Sequence, residues 1–234
     1  MRIAVMQPYF FPYVGYFQLM NAVDEFIVYD NIQYSKEGWI NRNRILSNGK
    51  PSYFTVPIKK DSDFLDVNER YISPEWKAGR KRALNKLTES YRRAPYFGSV
   101  YPMIESSFMS VEENLFEYIY DSLEYVRLFI GIKTSLVVSS SVAADHNLKS
   151  ADRVISICHA RKADNYINSE GGLGLYDREY FNDRGLKLSF LRSSGVTYPQ
   201  YGNEFVPSLS IIDVLMFNSV EQTRAFLENA YEIF

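Results

Sequence analysis

The sequence predicts an α/β fold: a Rossmann-like parallel sheet flanked by helices, with a small antiparallel hairpin inserted. Three observations carry this. Ile3-Ala4-Val5-Met6 is a short apolar strand followed by a helical stretch and a second strand, Glu25-Phe26-Ile27-Val28-Tyr29. Ser135-Leu136-Val137-Val138-Ser139, a helix opened by Ser150 and the strand Asn165-Tyr166-Ile167 repeat that order. Asn48-Gly49 between two apolar runs is a hairpin signal of the type I′ kind. Two strand-helix-strand units imply right-handed parallel crossovers, and ligands of such sheets lie beyond the carboxyl ends of the strands.

The first corner is unusual. Gln7-Pro8-Tyr9-Phe10-Phe11-Pro12-Tyr13-Val14-Gly15-Tyr16-Phe17 carries six aromatics, two prolines and a glycine. The prolines forbid a continued ladder, and Gly15 permits close approach of the backbone where the helix begins. Phe17, Met20 and Val23 then mark the buried side of a helix of about two turns. The second strand ends at Asp30. From Asn31 to Arg44 the chain adds Gln33, Tyr34, Lys36, Trp39, Asn41, Arg42, Asn43 and Arg44. Lys36, Arg42 and Arg44 suit phosphate or carboxylate oxygens, and Tyr34 or Trp39 suits stacking on a base or sugar. A packed hairpin edge with snorkelling cations would use the same residues.

The rest of the chain follows in order. The hairpin excursion covers about residues 43–72, a helical segment about 73–131, and the whole of 1–234 is expected to be one domain. Ser73-Pro74-Glu75-Trp76 starts a helix with Trp76, Leu84, Leu87 and Tyr91 inward and Lys77, Arg80, Lys81, Arg82, Lys86, Arg92 and Arg93 elsewhere. That basic run is either an RNA- or pyrophosphate-binding face or a solvated one. Ser110 through Glu113 reads as a capping box for a helix that ends at Gly131. Ser135–Ser139 reads as a central strand whose hydroxyl run, including Ser140, emerges at the ligand edge. The turn Ser169-Glu170-Gly171-Gly172 brings the chain back to that edge beside Gln7. Lys187–Leu191 is the last strand expected. Asp213 lies in a late apolar helix capped near Ser208, pinning backbone or orienting a cation. Ser219 to Gln222 is a second capping box.

At Met6-Gln7-Pro8-Tyr9-Phe10-Phe11-Pro12-Tyr13, Gly15-Tyr16-Phe17, Asp30, Gln33-Tyr34, Trp39-Ile40-Asn41-Arg42-Asn43, Val56-Pro57 and Leu209-Ser210-Ile211-Ile212-Asp213, the chain resembles the WbqC-like family. The resemblance spans nearly the whole length. It implies a place in bacterial surface-polysaccharide (O-antigen) biosynthesis, with aminoacyl (glycyl-type) or acyl transfer to a nucleotide-linked 4-amino-4,6-dideoxy sugar. Where that family leads one to expect a serine-glycine turn, this chain inserts Glu170.

The candidate catalytic set is Asp30 as base with Lys36 and Arg42 neutralising phosphate. The candidate substrate-binding set is Gln7, Tyr9, Tyr13, Tyr16, Gln33, Tyr34, Trp39, Asn41, Asn43, Ser140, Gly171 and Gly172. ATP with Mg²⁺ is a possible cofactor, held by Asp30 and substrate phosphates. A charged tRNA is one possible aminoacyl donor. A noncatalytic sugar-nucleotide binding protein and a nucleotidylyltransferase-like adenylating enzyme are the alternatives. The latter's first corner normally carries histidines, where this chain has Gln7 and Tyr16.

Composition narrows the classes. A net charge of −2 gives no global attraction to nucleic acid or membrane. The single Cys158 excludes an internal disulfide, fits a reducing cytosol, and sits mid-helix on the apolar side as core rather than nucleophile. Only His146 and His159 are present, in different elements, which argues against a histidine metal cluster. No apolar run approaches the ~20 residues of a spanning helix, and no basic-then-apolar leader opens the chain, so a cytoplasmic location is expected. Phosphate-loop and Gly-x-Ser-x-Gly patterns are missing.

Overall fold

The computed structural model describes residues 1–202 and 204–234. It holds a six-stranded mixed sheet and a separate two-stranded one, so the α/β reading stands. Strand β1 (Arg2–Met6) leads through helix α1 (Val14–Ala22) to β2 (Glu25–Val28). Strands β3 (Arg42–Ser47) and β4 (Lys50–Thr55) form the hairpin; Asn48 and Gly49 both take positive φ, as a type I′ turn requires. Three helices follow, α2 (Trp76–Tyr91), α3 (Phe97–Phe108) and α4 (Leu115–Ile130). Then come β5 (Ser135–Val138), α5 (Ser150–Ala160), β6 (Asn165–Ser169), the short α6 (Arg178–Asn182) and β7 (Lys187–Ser193). The chain closes with α7 (Ile211–Phe217), α8 (Val220–Asn229) and β8 (Tyr231–Ile233).

The sheet order is β5-β2-β1-β6-β7-β8, parallel except for β8 against β7. From β1 the chain first moves one way, to β2 and β5, and later crosses to the other side, to β6. The sides of the strands alternate accordingly. Ala4, Phe26 and Val28 pack with Phe17 and Met20 of α1, whereas Ile3, Val5 and Ile27 pack with Val154, Ile155 and Cys158 of α5. Helices α1 and α5 thus cover opposite faces, and the gap between the ends of β1 and β6 is a topological switch point.

Several expectations are corrected. Strand β5 is an edge strand rather than a central one, and its residues are half-buried or exposed. Helix α4 starts at Leu115, capped by Asn114, whose Oδ1 accepts from the Phe116 and Glu117 N–H groups. Ser110 cannot cap it, because Glu113 and Asn114 pair as an extended segment with Ile72 and Tyr71. Lys149, not Ser150, occupies the N-cap position of α5, and Ser210, not Ser208, caps α7. Helix α2 begins at Trp76, past Ser73. Helix α3 falls within the helical segment expected over about 73–131 and tolerates Pro102 inside it, whereas the short α6 and strand β8 are additions to the expected elements. The Ser219–Gln222 capping box forms as read. Among the described residues no helix is long and apolar enough to cross a membrane.

Candidate functional site

A cleft of about 680 Å³ opens at the switch point, a size that suits a small-molecule ligand. Met6 and Gln7 form its wall at the end of β1, and Asn168, Ser169, Gly171 and Gly172 form the wall at the end of β6. The expected meeting of the glycine turn with Gln7 is therefore present. It depends on Gly172: a Cβ there would run into the Asn168 side chain, which is itself buried and accepts from the Ser169 N–H at 2.8 Å. Tyr29, Asn31 and Gln33, just past β2, line a third side.

The fourth side is the start of α5. Lys149, Ser150 and Arg153 line the cleft there, and no side chain caps the helix. Uncapped N–H groups, the positive end of the helix dipole and two cations make this side attractive to phosphate. Ser150 holds a φ of +49°, a strained conformation for a residue with a Cβ. Arg153 is fixed by donating Nη2 to the Asn31 carbonyl at 2.8 Å, with its guanidinium 5.0 Å above the Tyr29 ring centroid. Its Nε and the Asn31 Oδ1 are buried without a protein partner.

Asp66 also lines the cleft, held next to Gln33 by a strand-like bridge and within electrostatic reach of Arg153. Burial, and then the neighbouring Glu69 charge, raise its pKa from that of an ordinary aspartate, and Arg153 pulls it back. Burial likewise pushes the phenols of Tyr9 and Tyr29 up to about 12, so at neutral pH both are hydrogen-bond donors rather than bases.

The residues anticipated from sequence divide into three groups. Gln7, Tyr9, Gln33, Gly171 and Gly172 line the cleft. Tyr9, Tyr13, Trp39 and Asn43 line a smaller neighbouring pocket of about 210 Å³. The remainder do not reach either. Asp30 is 3% exposed, with Oδ1 accepting from the Ser140 N–H at 2.8 Å and Oδ2 from Asn68 Nδ2 at 2.9 Å. That carboxylate ties three loops together beyond β2. Lys36 pairs with Asp63 at 2.5 Å on the surface. Arg42 donates to the carbonyls of Gly38 and Glu37 at 3.0 and 2.6 Å. Asp30, Lys36 and Arg42 are thus held by separate partners: Asp30 by the loops of Ser140 and Asn68, Lys36 by Asp63, and Arg42 by carbonyls of its own loop. Tyr16 donates to the Gln7 carbonyl at 3.0 Å, and Tyr34 donates to Asn41 Oδ1 at 2.9 Å; these are buried supports.

The basic run on α2 is also divided. Arg80 is buried and donates to the Met109 carbonyl at 3.3 Å, while Lys81, Arg82, Arg92 and Arg93 are exposed. Cys158 is wholly buried, and burial pushes its thiol up to about 12, which removes it as a nucleophile. Among the described residues no group of three or more His, Cys, Asp or Glu side chains is placed to hold a metal ion.

Sequence reasoning passed over Tyr29, Asn31, Asp66, Lys149 and Arg153. A signal did exist for two of them: Lys149 and Arg153 flank the start of a helix that begins at the ligand edge of a parallel sheet. Asp66 had none, since only the tertiary course of the loop after β4 carries it back.

The WbqC-like protein family model matches residues 7–225. The chain belongs to the WbqC-like family. A relative from Mycobacterium tuberculosis, named "Uncharacterized protein Rv1507c", is 29% identical over 225 residues, covering 93% of each chain. No solved structure matches. The matched span takes in the corner after β1, the glycine turn after β6 and the α5 start, so the cleft lining lies within the part shared with the family, Val5 and Met6 excepted.

Proposed function

We propose that this WbqC-like chain is a transferase of surface-polysaccharide biosynthesis that acylates, or aminoacylates, the amino group of a nucleotide-linked 4-amino-4,6-dideoxy sugar. The observation that carries the proposal is the cleft between the ends of β1 and β6, lined by Lys149, Arg153 and the uncapped start of α5 together with Asp66. The diphosphate lies against the α5 start. The neutral sugar amine attacks the carbonyl carbon of an activated acyl donor, the donor's leaving group departs with its bonding electrons, and the amine proton passes to the Asp66 carboxylate. The Tyr9 phenol donates to the oxyanion that develops on the carbonyl oxygen. In this reading Asp66 takes the base role anticipated for Asp30, which instead positions the loops behind it.

One observation favours a noncatalytic binding protein: Asp30, Lys36 and Arg42 are all engaged by protein groups. Calorimetry and product mass separate the two. A nucleotide-linked 4-amino-4,6-dideoxy sugar binds in either case, and Lys149→Glu weakens that binding about tenfold or more, with a steeper loss at high salt. Incubation with glycine and ATP, or with glycyl-tRNA, gains the mass of a glycyl group only if the chain is a transferase. Unchanged nucleotide affinity in Lys149→Glu would remove the cleft from consideration.

A further inference from the structure

The smaller pocket beside the cleft has its own architecture. Tyr9, Tyr13 and Trp39 wall it, Pro12 closes one end and Arg44 stands at the rim. Tyr9 lines both hollows, so the two adjoin through a single side chain.

The corner after β1 is held under strain to form it. Phe11 takes a φ of +46°, which a bulky residue rarely adopts, and its carbonyl accepts from Asn43 Nδ2 at 2.8 Å and Ser210 Oγ at 2.7 Å. The Tyr13 ring lies against Gly15, where any Cβ would collide with it. Arg44 is anchored to the Ser208 carbonyl at 3.1 Å, with its guanidinium 5.3 Å from the Trp39 ring centroid. Trp39 is 37% exposed and stacks on Tyr53 with ring centroids 6.1 Å apart.

We infer that this aromatic box is a separate subsite for one pyranose ring, the sugar moiety of the nucleotide-linked substrate, with an apolar C–H face of the ring against the aromatic walls. The inference rests on the cleft being the nucleotide site. At about 210 Å³ the box takes a single ring and not a nucleotide. Aromatic faces with hydrogen-bonding groups at the rim match a pyranose, whose faces are C–H and whose perimeter is hydroxyl. Arg44 offers donors only, which the lone pairs of a ring hydroxyl accept. Sharing of the Tyr9 wall places the sugar amine next to the cleft where transfer is to occur.

Fluorescence isolates the box, because the chain has two tryptophans and Trp76 is buried in the core. The ligands are a nucleoside diphosphate, its 4-amino-4,6-dideoxyhexose conjugate, and the methyl glycoside of that sugar. The conjugate and, at higher concentration, the methyl glycoside should shift Trp39 emission, while the nucleoside diphosphate binds by calorimetry and leaves emission unchanged. Trp39→Ala should weaken the conjugate about tenfold and the nucleoside diphosphate not at all, and Trp39→Phe should restore most of the loss. An emission change of equal size with the nucleoside diphosphate alone, or equal weakening of both ligands by Trp39→Ala, overturns the sugar assignment and leaves the cleft intact. A glycoside response without any nucleoside diphosphate binding overturns the cleft and keeps the box. No response to the conjugate or the glycoside overturns the box.

Discussion

Asp213 has no exposed surface, and its oxygens accept from Tyr91 and Tyr198, each at 2.7 Å, and from Gln200 at 2.6 Å. It joins α2, the aromatic loop after β7 and the start of α7, and it lines none of the pockets described above. Of the two roles open to it in sequence, pinning fits this geometry. Asp213→Ala leaves donors without their acceptor inside the core, a loss of about 3 kcal/mol in unfolding free energy. Burial raises the Asp213 pKa although its three donors pull it down. A raised folded pKa means the native state favours the protonated form, so that contribution is complete below the unfolded pKa and is lost as pH rises through the folded one. Urea unfolding should therefore show the wild-type advantage over Asp213→Ala to be larger at mildly acid pH than at neutral pH. Asp66 offers a test of chemistry at the same scale. A base must be deprotonated, so its raised pKa sets the pH below which transfer falls off. Glu69→Gln keeps the acceptor that receives the Asp66 N–H at 2.9 Å but removes the charge that, after burial, contributes most to raising the pKa. The acid limb of the rate profile should then move to lower pH; an unmoved limb would remove Asp66 from the base role.

Elements were legible wherever a short-range rule decided them. Asn48-Gly49 sets the hairpin because both residues sit at positive φ, and Ser219 and Gln222 close their box within four residues. The strands β1, β2 and β6 read correctly because their apolar runs are bounded by polar residues. Failures came where a distant segment competed with a local signal. Glu112 to Asn114 resembled a first helical turn, but pairing with Tyr71 and Ile72 drew those residues out straight, and Asn114 became the cap. Asn114 also donates Nδ2 to the Asn68 carbonyl at 2.7 Å, in the same turn whose Asn68 side chain binds Asp30. Asn114→Ala should therefore cost more than an ordinary cap, about 2 kcal/mol, with a matching fall in the urea midpoint. A loss of only about 1 kcal/mol, that of an ordinary cap, would mean the link to Asn68 contributes nothing.

At the scale of the molecule, the site exists because the crossover direction reverses between β1 and β6. The sequence alone determined the two crossovers, the hairpin, the aromatic corner and the glycine turn, because periodicity, proline, glycine and capping act over a few residues. It also singled out Gln7, Tyr9, Gln33, Gly171 and Gly172, which line the cleft beyond the strand ends. Only the tertiary structure decided that Asp30, Lys36 and Arg42 face separate partners, that β5 lies at the edge, and that Asp66, Lys149 and Arg153 enclose the cleft with Gln7. Charged side chains are placed by whichever donor or acceptor the folded chain brings within about 3 Å, and residues far apart in sequence supply those partners.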